Sequence, residues 1–446
     1  MHDAMAGGDG EAVAAGWSWL ASLPRAVTAH AERGSDPLAA VRTLLAALGD
    51  PHVGLHVVHV VGSKGKGSTA LLIEALLRGL GRRTFTFTSP HLECWTERLR
   101  LDGAQVDGPT GLAALTAVRE AAERSDIRPG FFEALTVAGL WLARRSGVDW
   151  CIIEAGVGAR ADATNVVQPS AVVLISIELE HVERLGTSLA AIAREKAGAI
   201  KAGAPVISPV LATTVESEID AATARAGTTR LRVAPAGSAP AADIHWQLRG
   251  QHLDLRDASG SLHLPCDADG PIMAGNAALA AATVQALGIA SREQLQRSAR
   301  DWSCRNLPGR FETLSQLPWI VVDCAHTGAS AQALAEQVRA RAPEEVTLLL
   351  SLSTGKDLAA VIDPLASLAR TVIVTRADPD YSLPPDPVVA HLAAHWPEVD
   401  VHALSMPDAA LARASTAATA NHLILATGSV YLAGWVRCAL RIRPPQ

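Results

Sequence analysis

The chain has 446 residues, too many for one core of ordinary size, and its 49% hydrophobic and 19% charged residues exclude a disordered chain. A formal net charge of -6 offers no basic field to nucleic acid or to an anionic membrane, and no apolar run approaches the ~20 residues of a membrane span. Six cysteines without a C-x-x-C pair or zinc spacing, and a start (Met1 to Glu11) lacking the basic and apolar parts of a signal peptide, predict a reduced, cytoplasmic setting.

Two helical patterns come first, Ala12 to Ser22 and Pro37 to Leu48, the second stopped by Gly49. The β-branched run Val57-Val58-His59-Val60-Val61 then reads as a buried strand. It breaks into Gly62-Ser63-Lys64-Gly65-Lys66-Gly67-Ser68-Thr69 and a helix from Ala70 to Leu77. Glycines that let backbone N–H groups face an anion, followed by a helix N-terminus, predict a phosphate cradle in which Lys66 reaches the β- and γ-phosphates. The spacing is not the common P-loop form: only Ser63 and Lys64 separate Gly62 from Gly65, and Gly67 stands between Lys66 and Ser68. A glycine-rich turn with a surface lysine is the alternative.

The next strand, Thr84 to Phe87, runs into Thr88-Ser89-Pro90-His91-Leu92, which places Ser89 at a strand's C-terminal end, where α/β sheets bind ligands. A plain Ser-Pro turn fits the same residues. A helix from Phe131 to Arg145 ends at Gly147, and its opening aromatics read as core. The strand Val148 to Glu154 ends in a carboxylate, and a buried charge must be hydrogen-bonded or bind a cation, so Glu154 is a candidate metal ligand. Another apolar strand, Ala171 to Ile177, leads to Glu178-Leu179-Glu180-His181; His181 is either a structural histidine or a metal ligand. Thr187 or Ser188 caps a helix over Leu189 to Gly198, in which Lys196 by itself reads as a solvated lysine.

From Asp243 to Leu264 the period becomes two, a small antiparallel meander, before Ala274-Gly275-Asn276 opens a helix and Ser291 to Arg300 forms another. Asn306-Leu307-Pro308-Gly309-Arg310-Phe311-Glu312 interrupts the pattern, so the domain boundary is placed between residues 1–304 and 305–446. Beyond it, strands at Trp319 to Asp323, Val346 to Leu352, Thr371 to Thr375 and Leu423 to Ala426 alternate with helices from Ser330, Leu358, after Pro387 and from Tyr431. This predicts a parallel sheet with helices on both faces, and an α/β fold overall.

About ten motifs, in order and over nearly the whole chain, resemble the folylpolyglutamate synthase and dihydrofolate synthase branch of the Mur ligase family. They are Leu20 to Arg25, the Gly62 to Ser68 loop, Thr88 to Leu92 with Glu97-Arg98-Leu99, Phe132-Glu133, Arg160 with Asp162-Ala163-Thr164-Asn165, Glu180-His181, Glu195-Lys196-Ala197-Gly198, Asn276-Ala277, Pro308 to Glu312, Asp323 to Thr327, and Gly428 to Tyr431. Departures are residues 26–36, Ala161 for Leu, Glu180 for the commoner Asp, Ile272-Met273 for His-Gln, and Cys324 for Gly, which the comparison expects to crowd its loop.

The resemblance implies a P-loop-type parallel-sheet domain followed by a Rossmann-like glutamate-ligase domain. It implies ATP-dependent addition of L-glutamate to dihydropteroate or reduced folates through an acyl phosphate, with domain closure, in a cytoplasmic monomer. ATP would be held by Gly65, Lys66, Gly67, Ser68, Asn276, Arg310 and Asp323. Magnesium, two ions on the family pattern, would be held by Ser89, Glu154 and His181, with room for a monovalent cation. The acceptor would lie by Phe132, Glu133 and Asp162, and the glutamate by His326 and Ser429. Lys66, Lys196, Asp162 and His326 would be the catalytic set, with Lys196 carbamylated. Rival expectations are a ligase of the same fold joining another acid and amine, and a nucleotide-binding protein without ligase activity.

Overall fold

A computed structural model describes residues 8–24, 36–305, 307–378, 381–416 and 421–442. The expectations for Arg25, for all of the 26–36 segment but Asp36, and for Asn306 lie outside the described residues. The chain forms two compact units, the first ending at Cys304 and the second spanning Arg305–Gln446.

The first unit is built on one sheet. In chain order its strands are β1 Val57–Val61, β2 Thr84–Phe87, β3 Leu99–Leu101, β4 Ala104–Gln105, β5 Trp150–Glu154, β6 Ala171–Leu174, β7 Val206–Pro209, β8 Arg230–Pro235, β9 Ile244–Arg249, β10 His252–Asp257 and β11 Gly260–Pro265. They lie in the order β11-β10-β9-β8-β7-β6-β1-β5-β2-β3-β4. β1 is interior and runs parallel to both β5 and β6. Every β1 residue is buried, because helices cover both faces, which is why it reads as an apolar run broken only by His59.

Val58 and Val60 pack with Leu72, Ile73 and Leu76 of helix Lys66–Gly79 and with Ala277 and Ala281 of helix Pro271–Ala286. Val57, pointing the other way, joins Phe85, Phe87 and Leu135 of helix Phe131–Ser146. The antiparallel meander is present as β9, β10 and β11, and it is the sheet's own edge, joined through the parallel β8–β9 pair. Helix Pro271–Ala286 starts three residues earlier than Ala274, since Pro271 suits a first turn whose N–H groups lack partners anyway. Helix Gly108–Arg124, capped by the Asp107 carboxylate accepting from Thr110 N–H at 2.7 Å, has no counterpart in the sequence reading. Nor do the parallel strands β7 and β8 or helix Thr213–Arg225 between them.

The second unit contains β12 Glu312–Gln316, β13 Trp319–Val322, β14 Glu345–Leu350, β15 Thr371–Val374, β16 Asp400–Ala403 and β17 His422–Thr427, ordered β12-β13-β17-β14-β15-β16. All neighbours are parallel except β12 with β13. The expected alternation of strand and helix therefore holds, with an added antiparallel edge. β17 lies inside the sheet, so its C-terminal end, Thr427-Gly428-Ser429, opens beside those of β13 and β14. Among the described residues no helix is long and apolar enough to cross a membrane.

Helix Lys66–Gly79 ends where a Cβ on Gly79 would collide with the backbone carbonyl of Ser298. Backbone cannot swing aside as a flexible side chain can. Gly79→Ala is therefore expected to lower unfolding stability by about 1–3 kcal/mol in urea titration without altering the Gly62–Thr69 loop itself.

Candidate active site

The loop after β1 turns on Gly62 (φ 149°) and Gly65 (φ 82°) before helix Lys66–Gly79 begins. The third glycine has another purpose. Gly67 is already helical, and a Cβ there would stand 3.3 Å from Glu154 Oε2, so it lets the carboxylate lie against the first helical turn. Ser68, in the same turn, is buried. Asn276 lies over the loop, where a Cβ on Gly65 would come within 2.7 Å of its side-chain oxygen. The segment after β6 locks the loop from below. Ser63 N–H donates to the Ser176 carbonyl at 2.8 Å, Lys64 N–H donates to Ser176 Oγ at 2.8 Å, and Glu178 N–H donates to Ser63 Oγ at 3.0 Å. Ser176 was not singled out from the sequence. A serine interrupting an apolar strand was the available signal.

Two lysines converge on one carbonyl. Lys66 Nζ donates to Gly62 O at 3.0 Å and to Ser63 O at 3.3 Å, while Lys196 Nζ donates to Gly62 O at 2.7 Å and to Glu180 Oε1 at 3.0 Å. Lys64 approaches the other oxygen of Glu180 at 3.6 Å. Lys196 is only 1% exposed, not the solvated helix lysine its surroundings in sequence suggest. Burial pushes its ammonium down to about 8, helped by Lys66 and opposed by Glu180. Burial works against ionisation of Glu180 too, but Lys196, Lys66 and Lys64 outweigh it and hold that carboxyl at about 2. The helix carrying Lys196 is capped by Ser188, whose Oγ accepts from Ala191 N–H at 3.2 Å, which decides between the two expected caps.

Glu154, buried at the end of β5, accepts a 2.8 Å bond from the Ser89 N–H, so these two expected metal ligands are neighbours. An anionic and a hydroxyl oxygen suit a hard divalent cation, which keeps waters and takes phosphate oxygens for its remaining positions. His181, the third expected ligand, follows β6. Its backbone is left-handed (φ 46°), and its exposed ring approaches Glu183 at 3.8 Å. Among the described residues no group of three or more His, Cys, Asp or Glu side chains is placed to hold a metal.

Of the residues expected at the acceptor, Asp162 is buried and accepts from Gly156 N–H at 3.1 Å, Val157 N–H at 3.0 Å and Thr164 N–H at 3.1 Å. Burial pushes its carboxyl up, against these bonds. Phe132 packs over Gly156 beside it, where a Cβ would meet the ring at 2.8 Å. Glu133 is buried and receives the Gly130 N–H at 2.6 Å, so it caps its own helix.

In the second unit Asp323 accepts from Phe311 N–H at 2.7 Å and from Ala325 N–H at 2.8 Å. The first of these holds Phe311 in a left-handed backbone (φ 42°), with the Arg341 guanidinium 3.9 Å above its ring. Burial pushes the Asp323 carboxyl up against the pull of Arg310, which is itself exposed. Cys324 is buried on a backbone with no positive φ, so a side chain is accommodated where crowding was expected. His326 Nδ1 bonds to the Cys324 carbonyl at 2.7 Å, and Ser429 Oγ, buried beside Gly428, accepts from Tyr431 N–H at 3.1 Å.

Comparison with known proteins gives the family. Residues 309–430 match the Mur ligase glutamate ligase domain. The folylpolyglutamate synthase of Lacticaseibacillus casei is 31% identical over 414 residues, covering 90% of this chain and 93% of that protein. This chain belongs to the folylpolyglutamate synthase and dihydrofolate synthase family. E. coli FolC in complex with DHPP and ADP shares the family fold at TM-score 0.83 and 27% identity, covering 96% of this chain and 98% of FolC. The bifunctional folylpolyglutamate synthase/dihydrofolate synthase of Yersinia pestis, complexed with AMPPNP and a Mn ion, gives TM-score 0.81 at 25% identity, covering 96% of this chain and 98% of that one. The α/β architecture expected from the motifs is thus the family's.

Because Gly65 combines a left-handed backbone with the close approach of Asn276, Gly65→Ala carries ~1–2 kcal/mol of backbone strain in the loop expected to bind the nucleotide. Calorimetric titration with ADP is expected to show affinity reduced about tenfold or more.

Proposed function

We propose that this chain is an ATP-dependent ligase that uses a divalent cation and joins L-glutamate to dihydropteroate, to reduced folates, or to both. The observation that carries the reading is the Gly62–Thr69 loop, with Lys66 and Lys196 gathered at the Gly62 carbonyl. It occurs in a chain related over 90% of its length to a folylpolyglutamate synthase. Named relatives supply the substrate class, and the residues supply the chemistry.

The loop N–H groups and the start of helix Lys66–Gly79 bind the ATP phosphates, and Lys66 follows the charge that develops on their oxygens as the γ-phosphoryl group moves to the acceptor carboxylate. Glu154 and Ser89, with His181 as a further candidate, would hold magnesium, which neutralises phosphate charge when bound. The glutamate amine then attacks the acyl carbon, forming the amide C–N bond as the C–O bond to phosphate breaks, with inorganic phosphate and the amine's proton released. Asp162 and Phe132 are assigned to the acceptor. Glu133 acts there through the helix it caps. Asn276, Arg310 and Asp323 are assigned to the nucleotide, His326 and Ser429 to the incoming amino acid.

Carbamylation of Lys196 requires a neutral amine, and burial supplies that condition by bringing its ammonium down to about 8. The neutral fraction rises as pH passes from 7 to 9, so a carbamate signal in 13C-bicarbonate NMR should grow over that range and be absent from Lys196→Ala. Active enzyme without the signal or the added mass would remove carbamylation from the mechanism.

A ligase joining a different acid and amine is the second reading, favoured by Ala161 and Cys324 where the family has Leu and Gly. Mass spectrometry of products from ATP, magnesium, L-glutamate and either dihydropteroate or tetrahydrofolate separates the two. Glutamate-extended product is expected, and failure of both acceptors, with ATP consumption restored by another carboxylic acid, would establish the second. Lys66→Ala and Glu154→Ala should each lower acceptor-dependent ADP release by on the order of 10²–10³.

A further inference from the structure

Behind Asp162 lies a buried relay that begins on the strand feeding the phosphate loop. Thr164 Oγ1 donates its only proton to Asp162 Oδ1 at 2.5 Å. The same oxygen is 2.9 Å from His59 Nε2, so it must accept there, and His59 carries its proton on Nε2. His59, Thr164 and Asp162 are all buried. Burial, with Lys201 nearby, pushes the imidazole down to about 3, so it is neutral at working pH. Its Nδ1 is buried without a hydrogen-bond partner. A leucine in this otherwise all-valine strand would avoid burying both nitrogens.

The geometry points to His59 as a positioning residue for the acceptor carboxylate: its Nε2–H fixes the Thr164 hydroxyl in the one orientation that donates to Asp162. The other donors to Asp162 are backbone N–H groups whose directions the chain already sets. A threonine hydroxyl, by contrast, can rotate and can accept as well as donate. With the His59 proton occupying its acceptor side, only donation to Asp162 remains. The carboxylate is thereby held with one oxygen on Gly156 and Val157 and the other on Thr164, an orientation that would otherwise be shared with rotated states. His59 lies three residues before Gly62, so one strand sets both the phosphate loop and the acceptor's aspartate.

This inference rests on the acceptor reading of Asp162, and the experiment separates the two. His59→Gln, His59→Leu, Thr164→Ser, Thr164→Val, the His59→Leu/Thr164→Val pair and Asp162→Ala are compared in the full chain. Acceptor-dependent ADP release is measured with dihydropteroate and with tetrahydrofolate, each varied at saturating ATP, and ATP is then varied at saturating acceptor. A glutamine amide can present an N–H where Nε2 stood. His59→Leu and Thr164→Val should each raise the acceptor KM about tenfold, the loss of one hydrogen bond to a charged group, with the ATP KM unchanged. The pair should be no worse than either alone, and His59→Gln and Thr164→Ser should return to within about threefold of the parent.

If His59→Leu fails to fold, the Thr164→Ser and Thr164→Val comparison still reads the hydroxyl, and His59→Gln reads the donor. Equal rises in both KM values, or His59→Gln as impaired as His59→Leu, would overturn the relay while leaving the acceptor reading in place. An acceptor KM unmoved by Asp162→Ala would overturn the acceptor reading and the relay with it.

Discussion

The first unit is organised around an excess of positive charge held at the end of a buried strand. Lys64, Lys66 and Lys196 meet within reach of Gly62 and Glu180, and one of the three is almost fully buried. Desolvation alone would make this expensive, since burying ammonium groups together costs both hydration and mutual repulsion. Glu180 offsets part of it and is kept ionised by the same lysines. Glu178, beside it, has its carboxyl pushed up by burial, with the neighbouring lysines pulling the other way. The remaining field is positive and faces a helix N-terminus, an environment completed by a polyanion. The nucleotide phosphates proposed to bind here would offset a cost already present in the chain.

Much of this was legible in the sequence because it depends on local rules. The β1 run is apolar on both faces since it is an interior parallel strand. The following glycines mark a turn, and the carboxylate at the end of β5 could not be buried without donors or a cation. What was not legible came from partners distant in sequence. Lys196 reads as a surface residue until the fold brings it under Gly62, 134 residues away. Ser176 and His59 are single polar residues in apolar runs, and such interruptions say only that a partner exists. The edge strands β12 and β16 were missed for a different reason. Their side chains are mostly half-exposed, so the continuous apolar signature of the inner strands is absent.

The second unit shows how a correct motif can carry more structure than the motif implies. Asp323 has a backbone donor on each carboxylate oxygen, and by them it ties the Gly309-Arg310-Phe311 turn to the start of the Ala325-His326 loop. The turn is further closed by Cys324 N–H to the Gly309 carbonyl at 3.0 Å and Gly309 N–H to Glu312 at 2.8 Å. Arg310 is therefore presented from a pinned backbone while its own side chain stays exposed. On the neighbouring strand, Gly428 (φ 92°) allows the Ser351 carbonyl to approach closer than any Cβ would permit, and Ser429 enters the next helix from there. A single carboxylate thus sets the backbone of two loops that both carry functional candidates.

Two buried carboxylates, proposed for the metal and for the acceptor, sit in different surroundings. Glu154 has a backbone donor at Ser89 and lies against a helix N-terminus, an arrangement in which negative charge is favoured and a cation can share it. Asp162 is enclosed by donors on both oxygens and is resisted only by burial, so its charge is satisfied internally and its orientation is fixed. One is suited to hold a mobile ion and the other to present a rigid face. The orientation of Asp162 follows from the N–H groups that the local backbone turns towards its two oxygens, a property that neither residue type nor spacing reveals.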